Sequence, residues 1–95
     1  MKLGIGLGYS PRKLKIPMED ILFAEKMGFD SVWAAESYGS DAVSVASYVL
    51  AQTSKIKVGT AIMQMQARTP AMTAMTALSL NALSDNRFLL GLGPS

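Results

Sequence analysis

The 95 residues carry nine Lys and Arg against seven Asp and Glu, a net charge of +2, with 49% apolar and 17% charged side chains. That balance excludes a disordered chain and gives no electrostatic case for nucleic acid or a membrane surface. With neither cysteine nor histidine, disulfide scaffolds, thiolate chemistry, the usual zinc sites and any triad using histidine as base are excluded, and no metal site is expected.

No apolar run approaches the ~20 residues that a membrane-spanning helix needs. The start, Met1-Lys2-Leu3-Gly4-Ile5-Gly6-Leu7-Gly8, is glycine-alternating and lacks a small-residue cleavage pattern, so it reads as a strand rather than a signal sequence. The chain reads as cytoplasmic. Leu3, Ile5 and Leu7 alternate with Gly4, Gly6 and Gly8 at period two, so one strand face is bulky and the other bare. A bare face implies close approach by another backbone or a flat ligand. Gly4, Gly6 and Tyr9 do not complete the dinucleotide fingerprint, because the third glycine is missing. Arg12, Lys13 and Lys15 cluster in the next loop, read as solvated rather than as phosphate capture.

Pro17 fits the first turn of a helix reaching about Met27, with Glu19 and Asp20 at the positive end of its dipole. Ile21, Leu22, Ala24 and Met27 form its expected buried stripe, and Gly28 ends it at C′. Phe29 to Ala35 is an apolar strand of the kind buried on both faces of a parallel sheet. It ends at Glu36-Ser37-Tyr38-Gly39, after which Ser40 or Asp41 caps a helix to about Gln52, with Val45 and Val49 inward. Ile56 to Ile62 is the third strand. Thr69-Pro70 caps and starts a third helix, where Met72, Met75, Leu78 and Ala82 recur at helical spacing. Ser84-Asp85-Asn86 turns the chain into a fourth strand, Phe88 to Gly93.

Strands thus begin at intervals of roughly thirty residues, as a βα repeat requires. The order β-α-β-α-β-α-β demands parallel strands. The fold class is α/β, either a small open sheet or about half of an eight-stranded barrel, a fold that takes about 250 residues when complete. Residues 1–95 read as one incomplete domain. Its two unpaired strand edges and apolar inner face lead to the expectation of a homo-oligomer.

The stretch from Gly59 through Thr69-Pro70 to Ala77, followed by Leu83-Ser-Asp-Asn-Arg-Phe-Leu-Leu-Gly-Leu-Gly, resembles the N-terminal part of the bacterial luciferase-like flavin and deazaflavin oxidoreductases. Gly28-Phe-Asp-Ser-Val-Trp-Ala-Ala-Glu and Tyr38-Gly-Ser-Asp-Ala add to the resemblance, which is nearest to the branch that uses coenzyme F-420. It covers essentially the whole chain and the first third of a usual member. It implies a partial (βα)8 TIM barrel, here its N-terminal half with four parallel strands, and a cofactor lying across the carboxyl ends of those strands. The implied activity is hydride transfer at a deazaflavin ring, with an FMN-dependent monooxygenase as the alternative and a small molecule as substrate. The resemblance also implies a non-prolyl cis peptide at Ala61–Ile62, forming a bulge behind the ring; an ordinary trans strand is the competing reading.

Candidate site residues follow. Glu36 ends an apolar strand, where a carboxylate needs a partner or a proton to handle. It is either the catalytic acid-base group or a salt-bridged strand end, and Ser37 stands where the family often has histidine. By the resemblance Ala61, Ile62, Met63 and Gln64 would face the ring, with core filling as the competing reading for a methionine pair; Met65 reads as core. Gly91, Gly93 and Ser95 offer backbone amides to a phosphate or ribityl chain, or simply permit tight turning. Tyr9 and Tyr38 could wall the pocket, or be amphipathic rims. Arg68 reads as solvated rather than as an anion clamp. Because the second half of such a barrel completes the pocket, 95 residues alone are expected to be inactive; a non-catalytic, self-associating half-barrel is the reading from another functional class.

Overall fold

Four parallel strands follow one another across a sheet in the order in which the chain makes them. The computed structural model describes residues 2–8, 14–37 and 39–94. Its elements are β1 (Gly4–Gly8), α1 (Met18–Lys26), β2 (Ser31–Ala34), α2 (Ala42–Gln52), β3 (Lys57–Thr60), β4 (Met63–Gln64), a 3-10 turn (Met65–Ala67), α3 (Pro70–Leu83), β5 (Phe88–Leu89) and β6 (Leu92–Gly93). The main sheet runs β1-β2-β3-β5, all parallel, and β4 pairs with β6 in a separate parallel ladder. Strict sequential order is that of a barrel wall; a doubly wound sheet reverses at a switch point.

Side chains alternate across the pleat. Val32, Ala34, Val58 and Phe88 turn toward the helices and join Ile21, Val45, Ala46, Val49 and Leu80 in one core. The opposite face carries Gly4, Ser31, Trp33 and Gly59. There the indole Nε1 of Trp33 donates to Ser31 Oγ at 2.8 Å. A Cβ on Gly59 would lie 2.4 Å from Trp33 Cζ3, and one on Gly4 would lie 3.2 Å from Trp33 Nε1. At Gly4 the flat group for which the bare face of β1 makes room is therefore a side chain of the protein itself, and the same ring lies over Gly59 of β3, whereas at Gly6 nothing lies within 4 Å.

The helix ends follow their local chemistry. Asp41, not Ser40, caps α2, accepting from the Ser44 N–H at 2.9 Å. Thr69 caps α3 through the Met72 N–H at 3.1 Å, with Pro70 in the first turn. Gly28 follows α1 at φ +87°, the left-handed C′ position that glycine adopts without a Cβ penalty. Asp85 and Asn86 both have positive φ, which short polar side chains tolerate best among non-glycine residues.

Two buried stripes differ from expectation. On α1, Ile21 and Ala24 are buried but Leu22 and Met27 are exposed; on α3, Met72, Met75 and Leu78 face outward and Ala82 is exposed, while Thr73 and Leu80 are buried. The fourteen residues of α3 include no charge, so apolar spacing alone marks the helix without selecting its inward face.

The third strand breaks at the cis peptide and bulge that the resemblance implied, and the fourth breaks where a continuous strand was expected. The third stops at Thr60, crosses a cis peptide at Ala61–Ile62, and resumes as β4; the fourth breaks at Leu90-Gly91 before β6. Thr60 bridges the second gap, its hydroxyl donating to Gly91 O and accepting from Gly91 N–H, both at 2.9 Å. A Cβ on Gly91 would lie 2.0 Å from Thr60 O, so close backbone approach requires glycine there.

At the amino ends of the strands, two charged side chains tie the layers together. Glu25 Oε2 accepts the N–H groups of Ser54, Lys55 and Ile56 at 2.6–2.9 Å. Arg87 spends its guanidinium on Ser84 O, Thr53 Oγ1, Ile56 O, Leu50 O and Thr53 O at 2.8–3.1 Å, satisfying carbonyls at the end of α2 that would otherwise lack partners. Among the described residues no helix is long and apolar enough to cross a membrane.

Candidate functional site

Parallel α/β folds place ligands at the carboxyl ends of their strands, and here those ends bring together Glu36, the Ala61–Arg68 segment and Leu90–Pro94. The chain reaches this rim by three contacts. Ala61 N–H donates to Ala34 O at 2.6 Å, Met63 N–H donates to Gly91 O at 2.8 Å, and the β4–β6 ladder pairs Met63 with Leu92 and Gln64 with Gly93.

Glu36, just past β2, is buried. Its Oε1 accepts the Ala42 N–H at 2.8 Å and Arg68 Nη2 at 3.0 Å; its Oε2 accepts the Gln64 N–H at 2.7 Å and Arg68 Nη1 at 2.6 Å. The ion pair is fork-on-fork, the strong geometry for guanidinium and carboxylate. The side chains are 17% exposed for Arg68 and 7% for Glu36. Arg68 is thus not solvated: it clamps an anion, and the anion is the protein's own carboxylate. Of the two readings of Glu36, the salt-bridged strand end is what the geometry displays.

The Arg68 guanidinium, acting against burial and helped by the Ala42 and Gln64 N–H groups, lowers the Glu36 carboxyl from 4.5 to about 2. A carboxylate so depressed stays ionised near neutrality and holds no proton to donate. Because its folded pKa lies below the unfolded one, its contribution to stability is complete above the unfolded pKa, 4.5, and fades as pH falls toward the folded value. We expect urea denaturation at decreasing pH to show a loss on the order of 3 kcal/mol from this group. The slope should be much reduced in Glu36→Gln; an unchanged slope in that variant would show that other carboxylates carry it.

The remaining candidates divide by position. Ala61 is exposed and Ile62 half-buried on the rim, whereas Met63 is 0% exposed and belongs to the core. Met65 is exposed instead. For Met63 the core-filling reading is what the structure displays, because the break at Ala61–Ile62 restarts the side-chain alternation with Met63 turned inward; Met65 as core is overturned. Gln64 is half-buried, its Nε2 reaching Ser37 O at a long 3.5 Å. Gly91 and Gly93 are both explained by packing: Gly91 against Thr60, and Gly93 against Ile62, whose Cδ1 would lie 2.3 Å from an added Cβ. Tyr9, Tyr38 and Ser95, and with them Arg12 and Lys13, lie outside the described residues. Reading the residues one by one missed Gln66, whose Nε2 donates to Pro94 O at 2.6 Å, and the Arg68 pairing. An apolar hollow of about 290 Å³, lined by Met65, Pro70, Thr73, Ala74, Leu90 and Leu92, adjoins the rim.

Within residues 34–41, 60–70 and 90–94, Arg68 is the one cation and is paired with Glu36, while Asp41 is a second, exposed carboxylate at the start of α2. The exposed Ala61 step with amides of Gln64 and Gln66 beside it therefore suits a flat, uncharged heterocycle with polar edges. It offers a phosphate no unpaired cation, so a ring such as that of a deazaflavin or flavin would be held here by its face and polar edge and any phosphate tail elsewhere.

The sequence pattern of a family described as luciferase-like monooxygenase matches residues 5–95. The chain is 43% identical over its whole length to a protein of Mycobacterium tuberculosis named as a coenzyme F-420-dependent oxidoreductase, spanning 28% of that protein. Over 75% of its length it is 40% identical to 5,10-methylenetetrahydromethanopterin reductase of Methanolobus tindarius, covering 22% of it. Among solved structures, the coenzyme F-420-dependent tetrahydromethanopterin reductase of Methanopyrus kandleri superposes with a TM-score of 0.84 at 30% identity, over 99% of this chain and 27% of that one. The four-stranded wall is thus part of a TIM barrel, and the chain spans about a quarter of the length of these relatives.

Proposed function

The chain belongs to the luciferase-like monooxygenase family, and on that footing we propose that it forms the ring-facing wall of a deazaflavin-dependent oxidoreductase acting on a small-molecule substrate. The observation that carries this reading is a rim that offers no unpaired cation: Ala61 exposed between the strand ends, flanked by glutamine amides, with Arg68 and a buried carboxylate spent on each other. Relatives named for coenzyme F-420 support the deazaflavin over FMN. When bound, the cofactor supplies hydride transfer. The residues of this chain orient it: Ala61 and Ile62 give a floor, Gln64 and Gln66 give amides to its polar edge, and the core beneath excludes water. Glu36 holds the rim in place and moves no proton. Turnover requires more of the barrel than these four strands.

Titration of the chain with coenzyme F-420, and separately with FMN, followed by the visible absorbance of each, tests the reading. Binding of the deazaflavin at least about tenfold tighter than FMN is expected, a difference of about 1.4 kcal/mol. Tighter binding of FMN would favour the monooxygenase alternative, and no binding of either by a folded sample would leave a scaffold. The scaffold reading has its own support in the outer strands β1 and β5, each paired on one side in the main sheet, with Leu3, Leu83, Leu90 and Leu92 exposed. Self-association through those edges, our second proposal, would appear in light scattering as a mass above that of the monomer; a monomer at micromolar concentration would contradict it.

A further inference from the structure

The carboxylate of Glu36 joins three stretches that are distant in sequence: the end of β2, the first turn of α2 through Ala42, and the segment from Gln64 to Arg68. The last is held at both ends. Gln64 N–H and the Arg68 guanidinium both land on Oε2, so one oxygen atom closes a loop around the 3-10 turn Met65–Ala67. That turn contains no buried residue, hence no packing of its own to fix it. Its other ties include the two-residue β4–β6 ladder at its start, a long bond from Gln64 Nε2 to Ser37 O, and the bond from Gln66 to Pro94 O.

From this arrangement we infer that Glu36 and Arg68 are positioning residues, which fix the Gln64–Ala67 turn and so hold the Gln64 and Gln66 amides where a flat heterocycle meets the rim. The pair does this while cancelling its own charge. A lone arginine in the same place would draw the ligand's anionic part onto the rim, and a lone glutamate would repel it. The ligand class, a deazaflavin ring, rests on the function proposed above; the holding of the turn does not.

The test uses Glu36→Gln, which keeps shape but removes the charge, and Arg68→Lys, which keeps the charge but loses the fork. Arg87→Lys, at the opposite pole of the strands, controls for stability. Two readouts are needed: hydrogen exchange at the amides of residues 64–67, and coenzyme F-420 affinity. Either rim variant should speed exchange at Gln64 by about tenfold or more and weaken binding by a similar factor, whereas Arg87→Lys should change both by no more than about twofold. Arg68→Lys preserves the ionic partner of Glu36 and serves if Glu36→Gln does not fold. Unchanged protection of residues 64–67 in a folded rim variant would overturn the inference, as would equal losses in Arg87→Lys. If protection responds while even the unaltered chain binds no deazaflavin, the positioning role stands and the proposed function falls.

Discussion

Arg68→Ala is expected to lower the unfolding free energy by about 3–5 kcal/mol, because it leaves a buried carboxylate without its counter-ion. Exposed ion pairs rarely contribute more than about 1 kcal/mol, since solvent screens them and their long side chains lose entropy. This pair differs in burial and geometry: two parallel bonds at 2.6 and 3.0 Å and side chains 17% and 7% exposed. Removing the arginine leaves Glu36 with the Ala42 and Gln64 N–H groups alone. Replacing both partners by apolar residues should not restore stability, because those two N–H groups would then lose their acceptor. The loss should be visible as a lower urea midpoint and should change little with added salt. A cost below about 1 kcal/mol would mean that the pair behaves as a surface contact.

Gly91→Ala is expected to cost about 4 kcal/mol or more, or to prevent folding, while Gly6→Ala should cost less than about 1 kcal/mol. Both glycines lie in or between strands, and both look alike as glycines alternating with bulky aliphatic residues. Their surroundings separate them. An added Cβ at Gly91 would lie 2.0 Å from the Thr60 carbonyl oxygen, a backbone atom that cannot swing aside, whereas at Gly6 nothing lies within 4 Å. Moving Gly91 away would also break its reciprocal bonds with the Thr60 hydroxyl and pull β6 from β4, dismantling the rim. Thermal unfolding of the two variants side by side tests the contrast; similar melting temperatures would show that the approach of Gly91 to Thr60 is dispensable.

What the sequence makes legible is local. The period-two run Leu3-Ile5-Leu7, the Asp41 and Thr69-Pro70 caps, the Gly28 stop and the roughly thirty-residue βα spacing each act within a few residues, and each is found where it was expected. What stayed hidden acts across the chain. Glu25 and Arg87 tie together backbone about thirty residues away, and Glu36 meets Arg68 thirty-two residues on; no local pattern encodes such a partner. The break at Leu90-Gly91 falls within an apolar run that reads as continuous; the one at Ala61–Ile62 was implied by the resemblance, but the inward turn of Met63 just beyond it was not. One signal for the rim was available: a lone arginine and a carboxylate at the carboxyl ends of adjacent parallel strands, in stretches otherwise nearly free of charge. Opposite charges so placed meet unless something separates them.

We propose that the carboxyl ends of β2, β3 and β6 form one shelf, without an unpaired cation, for a planar redox ring. Amide chemical shifts, recorded residue by residue while coenzyme F-420 is added, address it most directly. The largest changes should gather at Ala61, Ile62, Gln64, Gln66 and Gly93, with little change at Glu25, Ile56 or Arg87 at the opposite pole. Changes centred on that opposite pole, or spread evenly over both, would contradict it.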